Sequence, residues 1–210
     1  MFYEYKAYVT SGYRVLIHVI VPVLLIALLG FLSLITGIDL SVYIASCIGA
    51  TLIGADYFGV GPICRKDSAV CTIIRSSSEG KKFIKSMLLQ DMTIRLIVYA
   101  ASAVVAEAIA ILNKNYSLLV PIAFCASIML TTLTLNISRH IESIQGAMLT
   151  AILSTGIYVL AFMGLDKILA SATSIVVPVV ILAVFVIAAV LASIFSVKYQ
   201  MKRSELCYHD

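Results

Sequence analysis

Six long apolar runs dominate this chain, each close to the roughly 20 residues that a helix needs to cross a bilayer. They lie at Val15 to Ile35, Ser41 to Pro62, Met92 to Leu112, Ser117 to Asn136, Ala147 to Gly164 and Ile175 to Ser196. A water-soluble core has no use for this much apolar surface. Hydrophobic residues make up 61% of the chain and charged residues 12%, against roughly a quarter charged in an average soluble domain. The runs also lack the apolar/polar alternation of a barrel wall, so strands are not the way they span. The expected fold is an all-α membrane protein with six transmembrane helices in one transmembrane domain over residues 1–210. The first run is longer than the apolar stretch of a secretory signal, and no small-x-small cleavage site follows it, so it reads as a mature helix.

The positive charges orient the spans. With the N-terminus in the cytoplasm, thirteen of the fifteen Lys and Arg residues fall on the inner side, and only Lys114 and Lys167 fall outside. The positive-inside rule therefore predicts an N-in, C-in topology. The net charge of +4 reads as a topology signal, and a nucleic-acid partner is not expected, because no soluble fold is there to present a basic patch. Neither a metal nor a disulfide framework is expected: the five cysteines form no C-x-x-C pair and fall in spans, on the reducing side or in the tail.

Between the spans, polar residues concentrate on the inner side. Residues 1–14, with Tyr3, Tyr5, Tyr8 and Tyr13, read as a short interfacial helix. Between spans two and three, Asp67 is placed to cap a short helix with Val70, Ile73 and Ile74 on one side. Ser76 and Glu79 then have the S-x-x-E spacing of a capping box that starts another helix. That helix carries Phe83, Ile84, Met87 and Leu88 on one face and Lys81, Lys82 and Lys85 elsewhere, and Asp91 and Arg95 stand four apart as an ion pair. Gly80-Lys81 is not a phosphate loop, because Arg75 stands where the first glycine belongs and Lys82 where a hydroxyl belongs. On the outer side, residues 165–174 fit either a short interfacial helix or an ordinary loop.

Ionisable groups at membrane depth are functional candidates by default. Asp56 lies near the inner end of span two, where a basic residue such as Arg14 or Arg95 would pair with it and hold a gate. Glu107, near the outer end of span three, leans toward Lys114. His18 reads as a packing residue. Two rows of small residues, Ser46, Ala50 and Gly54 on span two and Ser102, Ala106 and Ala110 on span three, permit close helix packing. They serve either within one chain or where two chains meet.

Six short-looped spans with an amphipathic lead-in and a polar helix-break-helix after span two resemble the membrane (permease) subunit of a type-2 ABC transporter. The stretch "RSSSEGKKFIKSMLLQDMTIRL" is similar to that family's pattern after its coupling helix, with Phe83, Lys85, Leu88, Leu89 and Asp91 at the matching places. The resemblance implies a multi-pass protein of a bacterial cytoplasmic membrane, serving as the permease of an exporter. It implies pairing with a second permease chain as a homodimer or heterodimer, and docking on a separate ABC ATP-binding subunit. The coupling helix would be residues 65–79, with Arg65, Lys66, Asp67, Ile73, Ile74, Arg75 and Glu79 at the ATPase, and Arg139 and Glu142 would form a second contact. On this reading the chain is not an enzyme and binds no cofactor, since ATP and magnesium sit on the partner subunit. The alternative is a self-contained secondary transporter or solute-binding membrane module, for which Pro22 and Pro121 are only loosely symmetric. An intramembrane hydrolase ranks last, because no convergent catalytic pair is visible.

Overall fold

The computed structural model describes residues 10–64, 69–113, 118–141, 143–171 and 176–206, and every regular element among them is helical. The first apolar run forms α1 (Ser11–Val15), a π-helical turn (Leu16–Ile20) and α2 (Val21–Thr36) without interruption. Pro22 has no N–H to give to the carbonyl four residues back, and its ring crowds that carbonyl. The wider π turn just before it absorbs the mismatch. Gly37 closes α2 in the left-handed conformation with φ 68°, donating its N–H to the Ser33 carbonyl at 2.9 Å in the usual manner of a glycine helix end.

Among the described residues, five helical stretches are long and apolar enough to cross a membrane: Gly12–Thr36, Gly80–Leu112, Leu119–Ser138, Ile144–Leu165 and Val176–Arg203. Six were expected, and the difference lies in the second run. There α3 (Ser41–Asp56) has 16 residues, about 24 Å at 1.5 Å per residue, and then the chain turns. Phe58 and Gly59 both donate to the Ala55 carbonyl, and a separate turn, α4 (Gly61–Cys64), follows. Pro62 explains the stop, because it cannot continue a helical ladder through residue 58.

The segment that follows contains α5 (Ala69–Ser76) and then α6 (Gly80–Leu112), which merges the expected amphipathic lead-in and the third span into one 33-residue helix. The expected capping box does not form. Ser76 ends α5 and donates to the Ile73 carbonyl, while Glu79 precedes α6 without a side-chain cap and pairs with Lys82 at 3.0 Å. The break between the two helices falls at 77–79, so Ser76 closes α5 while Glu79 stands at the N-cap of α6. The bundle is completed by α7 (Leu119–Ser138), α8 (Ile144–Ser171) and α9 (Val176–Leu206). Of the segment 165–174, the part from Leu165 to Ser171 simply continues α8, and 172–175 lies outside the described residues.

Helix α3 is the centre of the packing: α2, α6, α7 and α8 all lie against it, while α9 packs chiefly on α7. Ile44, Ala45, Ile48 and Leu52 of α3 meet Tyr99 of α6, Phe124 of α7 and Tyr158 of α8 in one core cluster. The outward faces of α2, α8 and α9 are apolar, with Leu28, Leu160 and Leu191 each at least 60% exposed. Lipid covers such faces at no cost, so close packing rather than escape from water holds the helices together. Of the two small-residue rows, Ser102, Ala106 and Ala110 are all buried inside this chain, and the Gly54 backbone lies against Met148 of α8.

Candidate functional site

At one end of the bundle, four charged side chains close into a knot. Asp56 ends α3, Asp91 and Arg95 stand one turn apart on α6, and Arg139 follows the last residue of α7. Their side chains are only 1–5% exposed. Arg95 Nε donates to both Asp91 oxygens at 3.1 and 3.0 Å, its Nη2 donates to Asp56 Oδ1 at 2.7 Å, and its Nη1 donates to the Leu52 carbonyl at 3.1 Å. Arg139 grips Asp56 in the bidentate manner, Nε to Oδ2 at 3.0 Å and Nη2 to Oδ1 at 2.8 Å, and its Nη2 also donates to Asp91 Oδ2. The group carries two positive and two negative charges, with both forks of guanidinium donors directed at carboxylates. Burial alone would push the Arg139 guanidinium down, but Asp56 and Asp91 outweigh it and hold it well above its ordinary range.

The knot ties three helices together at a single level. In this complete, neutral set every charge has a partner, whereas removing one member leaves a buried charge uncompensated and costs about 3–5 kcal/mol. Close by, the Tyr13 hydroxyl donates to the Ala55 carbonyl, which ties the first helical stretch to the end of α3.

Two expectations about this region need correction or completion. Asp56 takes Arg95 as its partner rather than Arg14. Arg139, expected on a surface contact, is 4% exposed and committed to the knot, because the end of α7 turns it inward against Asp56. Of the other expected ATPase contacts, Arg65, Lys66, Asp67 and Glu142 lie outside the described residues. Ile73 is 69% exposed on α5, Ile74 is half-buried, Arg75 falls within the same helix, and Glu79 is exposed. Glu107 is half-buried on α6, its Oε2 has no hydrogen-bond partner among the described residues, and Lys114 lies outside them.

The break after α3, α5 and the first turns of α6 together make an elbow beside the knot. Cys71 Sγ donates to the Ile63 carbonyl at 2.8 Å, which fastens α5 to α4. Val60, Ile63, Ile84, Met87 and Leu88 form a buried apolar cluster that also receives Ile74, Tyr13 and Met201. Next to Arg139, His140 is pulled down to about 4 by its burial and by the neighbouring charges of Arg203 and Arg139.

A second polar cluster sits deeper in the bundle. The Tyr99 hydroxyl lies 3.1 Å from Ser127 Oγ and 2.8 Å from Thr131 Oγ1, while Ser127 donates to the Ala45 carbonyl at 2.8 Å. Gly49 makes room for it: a Cβ there would stand 2.8 Å from Thr131 Oγ1 and 2.9 Å from the Tyr99 hydroxyl. Sequence reasoning missed this cluster, although Ser127 and Thr131, four apart in an apolar run, were its visible trace. Among the described residues no three His, Cys, Asp or Glu side chains converge as metal ligands would. No known protein family, curated protein or solved structure matches this chain.

Proposed function

We propose that this chain is the membrane-embedded half of an ATP-driven exporter of the type-2 ABC kind, working as a permease rather than as an enzyme. It pairs with a second permease chain and docks through the elbow on a separate ATP-binding subunit, which holds the ATP and magnesium. The observation that carries this reading is the continuity of α6, one helix that begins in the elbow and enters the knot eleven residues later at Asp91. A push on α5 passes through the apolar elbow cluster into α6, and from there through Asp91 and Arg95 to α3 and α7. Packed elements joined this way move as rigid bodies. The knot thereby holds the ends of α3 and α7 against the body of α6 in one closed arrangement, the gate-like role expected of Asp56.

Capture of the tagged chain from its native membrane, followed by identification of co-purifying proteins, tests the docking. An ATP-binding-cassette subunit is expected, with an ATPase activity that rises when this chain is present in liposomes. Ile73→Asp, on an exposed surface, is expected to remove most of that stimulation, about tenfold if the contact is a central one, with thermal stability unchanged. Solute transport by the chain alone, without nucleotide, would favour the self-contained carrier instead.

A further inference from the structure

Two apolar grooves on the outside of the bundle flank a small void lined by hydroxyls. The first, about 580 Å³, opens between α1, the end of α3 and the start of α8, and is lined by Tyr13, Gly54, Phe58, Met148 and Ile152 among others. The second, about 470 Å³, lies toward the other end between α7, α8 and α9, with Met129, Ile157, Phe162 and Phe185 in its wall. Both fall within the roughly 300–1,000 Å³ of small-ligand sites. Between them is a neck of about 10 Å³, bounded by Ser46, Gly49, Ser127, Thr131, Ser154 and Thr155, room for about one water molecule. The neck shares wall residues with both grooves. Ala50 and Thr155 line both the neck and the first groove, and Leu130 and Tyr158 line both the neck and the second. Met148, Thr155, Tyr158 and Phe162 follow one another at spacings of three, four or seven, so a single face of α8 runs the whole length.

The polar side chains of the neck are neutral hydroxyls. Ser46 donates to the Tyr43 carbonyl, Ser154 and Thr155 both donate to the Ala151 carbonyl, and Ser127 donates to that of Ala45. With those protons committed to backbone, the hydroxyls offer lone pairs to anything in the neck. No Asp, Glu, Lys or Arg lines the neck or either groove. A charged head of either sign would find no counter-charge to offset its cost at membrane depth.

We infer that this seam is the route of an amphiphile whose head is uncharged and rich in hydroxyl donors, such as a glycosylated lipid. The head passes the neck while the acyl chain stays in the lipid-facing grooves. This deepens the transport reading by naming the substrate class, and it rests on the chain being a transporter but not on the ATPase. In the present arrangement the neck is closed, and a head passes only when α8 parts from α3 and α7.

The test uses the full chain in phosphatidylcholine liposomes with two photoactivatable lipids that share a diazirine-bearing acyl chain. One is a galactosyl diacylglycerol and the other a phosphatidylglycerol, and crosslinked residues are mapped by mass spectrometry. At Ile152 and Met129 the galactosyl probe is expected to label at least about fivefold more than the anionic probe, the value of one net hydrogen bond. The Ser154→Ala, Thr155→Val double variant is expected to bring that ratio to about one. Should this variant fold poorly, Ser46→Ala provides the same readout on α3. A ratio near one in the wild type, equal labelling of Leu28 and Leu191, or a ratio that survives the substitutions would each overturn the route. No ATP-binding subunit is present in this assay, so a failure of docking leaves its outcome unchanged, and its failure leaves the docking reading standing.

Discussion

The knot and the neck are both polar insertions in an apolar bundle, yet they are built on opposite terms. In the knot, two guanidiniums spend their donors on two carboxylates and on the Leu52 carbonyl. In the neck, neutral hydroxyls mostly borrow carbonyls from their own helices, three or four residues back. A charge that leaves the knot has nowhere to go in hydrocarbon, so the knot behaves as an anchor. A hydroxyl can exchange its carbonyl for a passing partner at a net cost of about 1 kcal/mol. Of the two, the part able to adapt is therefore the neck.

The sharpest way to break this contrast is Arg139→Ala. It leaves two buried carboxylates facing one guanidinium and is expected to cost about 3–5 kcal/mol, read as a lowered unfolding midpoint of the purified chain in detergent. If the loss were no larger than that of a neck substitution, the anchor would be no anchor. Next comes Gly49→Ala, whose Cβ has 2.8 Å to Thr131 Oγ1. Thr131 is β-branched and has little freedom to retreat, so about 1–3 kcal/mol of overpacking is expected. Smaller again is Tyr99→Phe, which removes a hydroxyl shared by Ser127 and Thr131 at about 1 kcal/mol.

The effect confined to acid pH lies at the rim of the knot. His140 has its proton affinity lowered from 6.5 to about 4 in the folded chain, so the unfolded chain binds the extra proton first. Stability from this group is present above pH 6.5 and is lost as the pH falls toward 4. His140→Asn is expected to flatten that part of a stability-versus-pH curve, measured by thermal unfolding.

Much of the helical architecture was legible, because long uninterrupted apolar runs leave few alternatives. The second run misled: Tyr57, Phe58 and Val60 keep it apolar past Asp56, so only Gly59, Gly61 and Pro62 signal that the helix stops. The Asp91–Arg95 pair was readable from its spacing of four, and Asp56 from its depth. Arg139 was not, because just beyond an apolar run an arginine looks like any topology charge until α7 is folded against α3. The Ser76–Glu79 pattern had the right spacing for a cap, yet spacing does not say on which side of a turn a residue falls. For the neck, the pairing of Tyr99 with Ser127 and Thr131 joins α6 to α7, a relation between helices that no single periodicity contains.

The unbroken length of α6 sets a gearing between the regions. Gly80 lies about 16 Å along the helix axis from Asp91, and Tyr99 lies about 12 Å beyond Asp91 on the other side. If the ionic cluster is the fulcrum, this rod is a seesaw. A tilt that swings the elbow one way carries the hydroxyl level the opposite way by about three quarters as much, so small strokes at one end arrive reversed and only slightly diminished at the other.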